Sequence, residues 1–169
     1  MAEADYSFTE MLPITPRDLP FRRRMKATIL RSSLPGRAKV NVPDGFNTVT
    51  PYFFVRGAED FVDFLIAALG GDEVGRHLRP DGKIANAQVR IGSSTLMVSE
   101  ATEANPATYG TYYLYVEDAD ESMRRALGHG ASLEMEVADM PYGDRQGGVR
   151  DPFGNVWWIS QRLEDGPYF

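Results

Sequence analysis

One order of elements, a strand, a helix and three further strands, occurs twice along this chain, the second copy 61 residues after the first. The first copy opens on Tyr52-Phe53-Phe54-Val55, followed by acidic Glu59 and Asp60. The second opens on Tyr113-Leu114-Tyr115-Val116, followed by Asp118, Asp120 and Glu121. The closing segments repeat at the same offset: Ser94-Thr95-Leu96-Met97-Val98-Ser99 matches Asn155-Val156-Trp157-Trp158-Ile159-Ser160 in its aliphatic alternation and final serine. A constant offset across two separate elements marks a duplicated unit. A βαβββ unit cannot bury its sheet alone, so two copies must pack together. The fold class this predicts is α+β, with two tandem βαβββ units forming a curved mixed sheet around a shared cleft.

Local pattern sets the element boundaries. Residues 48–55 are rich in β-branched and aromatic types and predict a strand; 58–69 place Phe61, Phe64, Leu65 and Ala68 at helical spacing, with Gly70-Gly71 as the stop. Strands follow at 72–79, 83–91 and 95–99, with a hairpin turn at Asp81-Gly82. In the second copy the pattern predicts a strand at 111–116, a helix at 119–127, and strands at 132–137, 146–150 and 156–161. The organisation is then an arm at 1–46, a domain at 47–162 (unit one 47–100, unit two 111–162) and a tail at 163–169.

The arm differs in composition from the rest. Pro13, Pro16, Pro20, Pro35, Pro43 and Pro51 punctuate the approach to the first strand and forbid a long helix. Residues 25–34 are compatible with one short strand or turn of helix. Residues 17–39 hold eight Lys or Arg against one acid, Asp18, whereas residues 40–169 hold ten basic and twenty acidic residues. An acidic body repels phosphate backbones, so no nucleic-acid partner is expected for the domain. The arm itself could contact nucleic acid or anionic lipid, but with no nucleic-acid motif in the run it is expected to lie across the acidic surface of its own chain or of a partner subunit. No apolar run approaches the length of a membrane span and no signal-peptide core precedes the domain, so no membrane partner is expected and a cytoplasmic location is the default. The chain has no cysteine, which removes disulfides, thiolate ligands and cysteine nucleophiles.

Four segments, VTPYFFVRGAEDFVDFLIAALGG, GRHLRPDGKIANAQVRIGSSTLMVSE, YYLYVEDADESMRRALGHGA and MPYGDRQGGVRDPFGNVWWIS, give the chain a resemblance to the vicinal oxygen chelate superfamily of glyoxalases, bleomycin-resistance proteins and dioxygenases. The resemblance is to its PhnB-like branch and covers about residues 45–162. The last segment is the most specific, with Gly143-Asp144-Arg145 followed by Arg150-Asp151-Pro152-Phe153-Gly154 as its signature run; within it Asp151-Pro152-Phe153-Gly154 reads as a tight turn that aims the final strand back into the sheet.

Metal-dependent members of such a superfamily carry His or Glu on four strands facing the cleft, and the resemblance maps those positions to Thr50, Thr111, Met97 and Trp158, with Asn86 at a further position often held by His. Hydroxyls and a thioether bind divalent cations weakly and an indole does not bind them. The two histidines, His77 and His129, read as surface residues. No metal and no other cofactor is therefore expected, and catalysis of the superfamily's metal-dependent type is disfavoured, although whether the chain is an enzyme stays open.

Strand alternation puts Thr50, Tyr52 and Phe54 on one face, and Thr111, Tyr113 and Tyr115 on the corresponding face of unit two, with Met97 and Trp158 joining them. If these faces line the cleft, it is aromatic with hydroxyl handles and suits a planar or hydrophobic ligand; the same rings could instead fill a barrel interior. Asn86, Tyr142 and Arg145 are the polar candidates for orienting a ligand. Arg145 could equally brace Asp144 or Asp151, and Asp151 reads as a turn residue. The predicted face contains no His, Asp, Glu or Lys to act as a general acid or base. The expected function is metal-free binding of a small aromatic or hydrophobic molecule, of the resistance or sequestration kind. The alternatives are a lyase, isomerase or dioxygenase with a non-standard site, or an interaction domain without ligand. The resemblance and the exposed sheet edges both predict a homodimer.

Overall fold

A computed structural model describes residues 41–168, so the readings made for residues 1–40 of the basic arm lie outside the described residues. Ten elements follow in order: β1 (Tyr52–Val55), α1 (Ala58–Ala67), β2 (Asp72–Leu78), β3 (Ile84–Ile91), β4 (Ser94–Glu100), β5 (Thr111–Tyr115), α2 (Ala119–Gly128), β6 (Ser132–Asp139), β7 (Asp144–Arg150) and β8 (Val156–Arg162). They make two four-stranded mixed sheets, ordered β1-β4-β3-β2 and β5-β8-β7-β6. In each, the first strand runs parallel to the last and the other pairs are antiparallel. The duplication read from the 61-residue offset is thus a duplication of topology: Tyr52 pairs Met97 in one sheet as Tyr113 pairs Trp158 in the other.

The helices form where the apolar spacing predicts, and their ends are fixed by different devices. At the start of α1 the Glu100 carboxylate accepts the backbone N–H of Ala58 at 2.8 Å and of Gly57 at 3.3 Å. It acts as a cap brought in from β4 for donors that have no partner in the helix. At the other end Gly70 takes φ 73°, a left-handed conformation that glycine adopts without strain, and its N–H returns to Ile66 O. In α2 the cap is local, the Asp118 side chain accepting from the Glu121 N–H at 2.9 Å.

β1 starts at Tyr52, four residues later than the β-rich composition from Thr48 predicts. Pro51 supplies no N–H for pairing, and its carbonyl accepts Met97 N–H at 2.9 Å as the ladder begins. Thr50 consequently sits in the preceding loop and donates its hydroxyl to Asn47 O at 2.9 Å.

One core serves both units. Phe53, Val55, Phe61, Leu65, Val89 and Val98 of unit one share a buried cluster with Met123, Ala126, Val149, Trp157 and Ile159 of unit two. Phe53 is the joint: its ring lies 5.1 Å from Phe61, 4.8 Å from Tyr112 and 6.1 Å from Trp157. Phe61 also meets Phe153 edge-on at 5.0 Å. The rings that join the units therefore project from the inner faces of β1, β5 and β8. Alternation turns Tyr52, Phe54, Tyr113, Tyr115 and Trp158 away from this core.

Candidate functional site

The outer faces that result are aromatic and partly open. On unit one, the Tyr52 and Phe54 rings lie 4.6 Å apart on β1, beside Met97 and Ser99 of β4 and Asn86 and Gln88 of β3. Ser99 is buried and donates its only proton to Ala85 O at 2.5 Å, so the Tyr52 hydroxyl, 2.7 Å away, is the donor to Ser99. On unit two, Tyr113 and Tyr115 lie 5.1 Å apart on β5, beside Trp158 and Ser160 of β8. Thr111 is exposed at the start of β5. The Trp158 ring lies over Gly148, its cross-strand partner on β7, where an added Cβ would collide with the indole. Glycine at this position in Gln146-Gly147-Gly148 is what lets the ring lie flat against the sheet.

Unit two also holds a charge that the alternation reading missed. β7 begins at Asp144, two residues earlier than predicted, and period two carries the face of Gly148 and Gln146 on to Asp144. The expectation of an outer face without a carboxylate is therefore corrected: Asp144 is fully buried at its base. Its Oδ2 accepts from the hydroxyls of Tyr168 at 2.6 Å, Tyr113 at 2.8 Å and Ser160 at 2.9 Å, and its Oδ1 accepts from Arg162 Nη1 at 2.9 Å. Gln146, also buried, accepts from Tyr142 through Oε1, which lies 2.9 Å from the Tyr113 hydroxyl. Burial alone would raise the Asp144 pKa, but the hydrogen bonds from Tyr168, Arg162, Tyr113 and Ser160 outweigh it and hold the carboxyl at about 2. Burial first, and then the bond to Asp144, push the Tyr113 phenol in the opposite direction, well above its ordinary value. A carboxylate held at so low a pKa and filled with donors is a weak base in the neutral range and serves to order the hydroxyls around it.

The depressed pKa has a sign that can be measured. A group whose folded pKa lies below its unfolded value stabilises the fold above the unfolded pKa, and that stability disappears as pH falls through the folded one. The shift from 3.8 to about 2 at a buried site corresponds to about 2 kcal/mol, lost between roughly pH 4 and pH 2. Urea unfolding at pH 6 and pH 2.5 should show a steeper loss for the parent than for Asp144→Asn; equal pH dependence would contradict the assignment.

Arg145 lies on the other face of β7. It is held by both Asp120 oxygens, at 2.5 Å and 2.8 Å, and by Asp139 at 2.8 Å. Its brace partners are thus Asp120 and Asp139, and the pairing expected with Asp144 or Asp151 does not form. Asp151, buried in the turn before β8, accepts from Phe153 N, Asn155 N, Asn155 Nδ2 and Trp157 Nε1 at 2.8–2.9 Å.

The residues at the superfamily's ligand positions do not fit a divalent cation. Thr50 spends its hydroxyl on Asn47 O, Met97 offers a thioether, Trp158 an indole, and Thr111 a single neutral hydroxyl. Among the described residues no group of three or more His, Asp or Glu side chains is arranged to hold a metal ion. His77 is exposed on β2, and His129 caps α2.

Of two cavities, one borders the unit-two face and the other lies on the helix side. One of about 250 Å³ lies between the β3–β4 turn of unit one (Ile91 to Ser94) and β5 of unit two, and it takes in Tyr113 and Tyr115. The other, about 420 Å³, lies between α1 and the turn at Pro152-Phe153 and includes Asp60, Asp63 and His129 but none of the predicted site residues. The structure thus gathers Tyr52, Phe54, Asn86 and Met97 on one open face and Tyr113, Tyr115, Tyr142 and Trp158 about the other, leaving Thr50 in a loop and Arg145 on the inner side.

Comparison with known proteins matches residues 45–159 to the family described as Glyoxalase/Bleomycin resistance protein/Dioxygenase superfamily. An uncharacterised protein of Mycobacterium bovis is 33% identical over 128 residues, spanning 69% of this chain and 84% of that protein. TioX from Micromonospora sp. ML1 superposes with a TM-score of 0.58 at 25% identity over 72% of this chain and 100% of its own. TnmS3, an antibiotic binding protein from Streptomyces sp. CB03234, superposes with a TM-score of 0.54 at 22% identity over 69% of this chain and 97% of its own, a likeness of fold. No described helix is long and apolar enough to cross a membrane.

Proposed function

We propose that this chain, which belongs to the Glyoxalase/Bleomycin resistance protein/Dioxygenase superfamily, binds a small planar aromatic molecule against its outer sheet faces and needs no resident metal to do so. The observation that carries this reading is exposure. Tyr52 is 42% exposed, Tyr113 44% and Tyr115 53%, whereas rings that merely filled an interior would be buried like Phe53 and Phe61. Half-open rings in contact along each strand, Tyr52 with Phe54 and Tyr113 with Tyr115, with the Tyr52 and Tyr113 hydroxyls tied to the sheet, offer an aromatic wall to a planar ring. Membership of a superfamily that also contains resistance proteins agrees with binding as the activity. A neighbour of the same fold is an antibiotic binding protein, which agrees with binding as the activity without indicating which ligand this chain takes.

A single open wall covers one side of a ligand, while binding sites normally enclose most of it. A second copy that sets the unit-one face against the unit-two face of its partner would close the site, so a homodimer is part of the proposal.

Tryptophan fluorescence titrated with planar compounds tests the reading, since Trp158 lies on the face concerned. Saturable quenching is expected; no quenching by any probe, together with an unchanged melting temperature, would leave an interaction domain instead. Elemental analysis of protein purified without chelator is expected to show substoichiometric zinc, nickel, iron and manganese, and one equivalent of any of them would contradict the metal-free part.

A further inference from the structure

We infer that Asp144 anchors a phenol-recognising subsite on the outer face of unit two, and that the chain's own Tyr168 occupies it as an intramolecular stand-in for the ligand. This rests on the aromatic-face reading above and adds to it the chemical class of the molecule bound.

The donors to Asp144 differ in how they are held. Tyr113, Ser160 and Arg162 project from β5 and β8, strands fixed by their ladders. Tyr168 arrives from the segment after β8, in which residues 163–168 form no helix or strand and are exposed throughout. Its side chain is gripped at the phenol. The hydroxyl donates to Asp144 Oδ2 at 2.6 Å and meets the Tyr115 hydroxyl. The ring stands edge-on to Tyr142 at 6.1 Å, with the Arg162 guanidinium 4.4 Å from its centroid. A segment that is irregular and exposed yet carries a ring held by a buried carboxylate, a cation and two phenols is a tethered occupant of a site built from the sheet.

The grip defines what could replace it. Withdrawal of Tyr168 frees one acceptor position on a buried carboxylate, and a buried charge left short of donors is costly. The replacement must therefore bring a hydrogen-bond donor, as the Tyr168 hydroxyl does. Arg162 over the ring favours an electron-rich aromatic, and the ionised Asp144 repels aryl carboxylates and phosphates. A neutral hydroxyaryl group meets all three conditions; its methyl ether, lacking the donor, leaves Asp144 one donor short, with only Tyr113, Ser160 and Arg162 to serve it. Occupation by Tyr168 lowers the fraction of protein competent to bind and so weakens the apparent affinity by that fraction. The tail thus sets a threshold for binding.

Calorimetric titration of the full-length protein and its Tyr168→Ala variant with 2-naphthol and with 2-methoxynaphthalene tests the inference. The variant is expected to bind 2-naphthol about tenfold more tightly than the parent, with 2-methoxynaphthalene weaker for both proteins. Tyr168→Phe, which keeps the ring and loses only the hydroxyl, is expected to fall between them, and melting temperatures monitor the fold of each variant. Equal binding of both compounds by parent and variants would overturn the subsite while leaving the aromatic-face reading standing. Preference for 2-naphthol with no gain on removing Tyr168 would overturn the role of the tail. Binding of neither compound to any of the proteins would overturn both readings.

Discussion

Replacing Phe53 by alanine is expected to lower the unfolding free energy by about 3–5 kcal/mol, the range for deleting a buried phenylalanine ring. Phe53 is 1% exposed and is a central residue of the contact between the units, meeting α1 at Phe61, β5 at Tyr112 and β8 at Trp157. The cavity left behind has walls from both units, and each wall is a strand or helix tied into its own sheet. Collapse to fill the space is therefore restricted, which places the cost toward the upper part of the range. Against a total stability of about 5–15 kcal/mol for a domain of this kind, such a loss should move the urea midpoint far down while keeping a single transition. Tyr52 is the natural control, one residue away on the same strand but facing outward and half exposed. Tyr52→Ala is expected to cost less than about 1 kcal/mol beyond its bond to Ser99, since half-exposed rings forfeit little burial. A Phe53→Ala variant no less stable than Tyr52→Ala would contradict the shared core.

The second large effect is expected at Asp151. Its carboxylate gathers the Phe153 and Asn155 backbone N–H groups, the Asn155 side-chain amide and the Trp157 indole N–H, in a turn where Asn155 is fully buried. Hydrogen bonds to a charged group contribute about 1.5–3 kcal/mol, and donors stranded in the interior add their own penalty. Asp151→Ala is therefore expected to destabilise by about 3 kcal/mol or more, and Asp151→Asn by less, because the amide keeps one acceptor oxygen. The turn also sets the register in which β8 enters the sheet, so Asp151→Ala should shift the tryptophan emission even in the folded protein. Thermal unfolding followed by near-ultraviolet circular dichroism reads both effects. A variant with unchanged melting temperature and emission would show that the turn is held by Pro152 and Gly154 alone.

Much of this architecture is legible in the sequence because the duplication checks itself. Each strand can be weighed against a twin 61 residues away, Thr50 against Thr111 and Met97 against Trp158, and the two sheets carry the same offset in their pairing, Tyr52 with Met97 and Tyr113 with Trp158. Three things were hidden, each for a physical reason. The start of β7 was read two residues late because Gly143-Asp144-Arg145 looks like a continued turn, and with it went the fact that Asp144 shares the face of Tyr113 and Ser160. Its partner Tyr168 lies in a tail with no periodicity to announce a contact. Which face of β1 meets the other unit could not be read either, since Phe53 and Val55 are as apolar as Tyr52 and Phe54 are aromatic, and alternation sorts residues into faces without saying which face is covered. Arg145 illustrates the same limit: its neighbours in sequence, Asp144 and Asp151, lose it to Asp120 and Asp139, which the sheet and α2 bring closer.

The central claim is that the outer faces, and not the interior or the helix side, receive a planar ligand. Amide chemical-shift mapping of the full-length protein titrated with 2-naphthol tests it most directly. Saturable shifts at Tyr52, Phe54, Met97, Tyr113, Tyr115 and Trp158, with α1 and α2 unmoved, are the predicted result. Shifts confined to the cavity at Asp60, Asp63 and His129, or none that saturate, would contradict it.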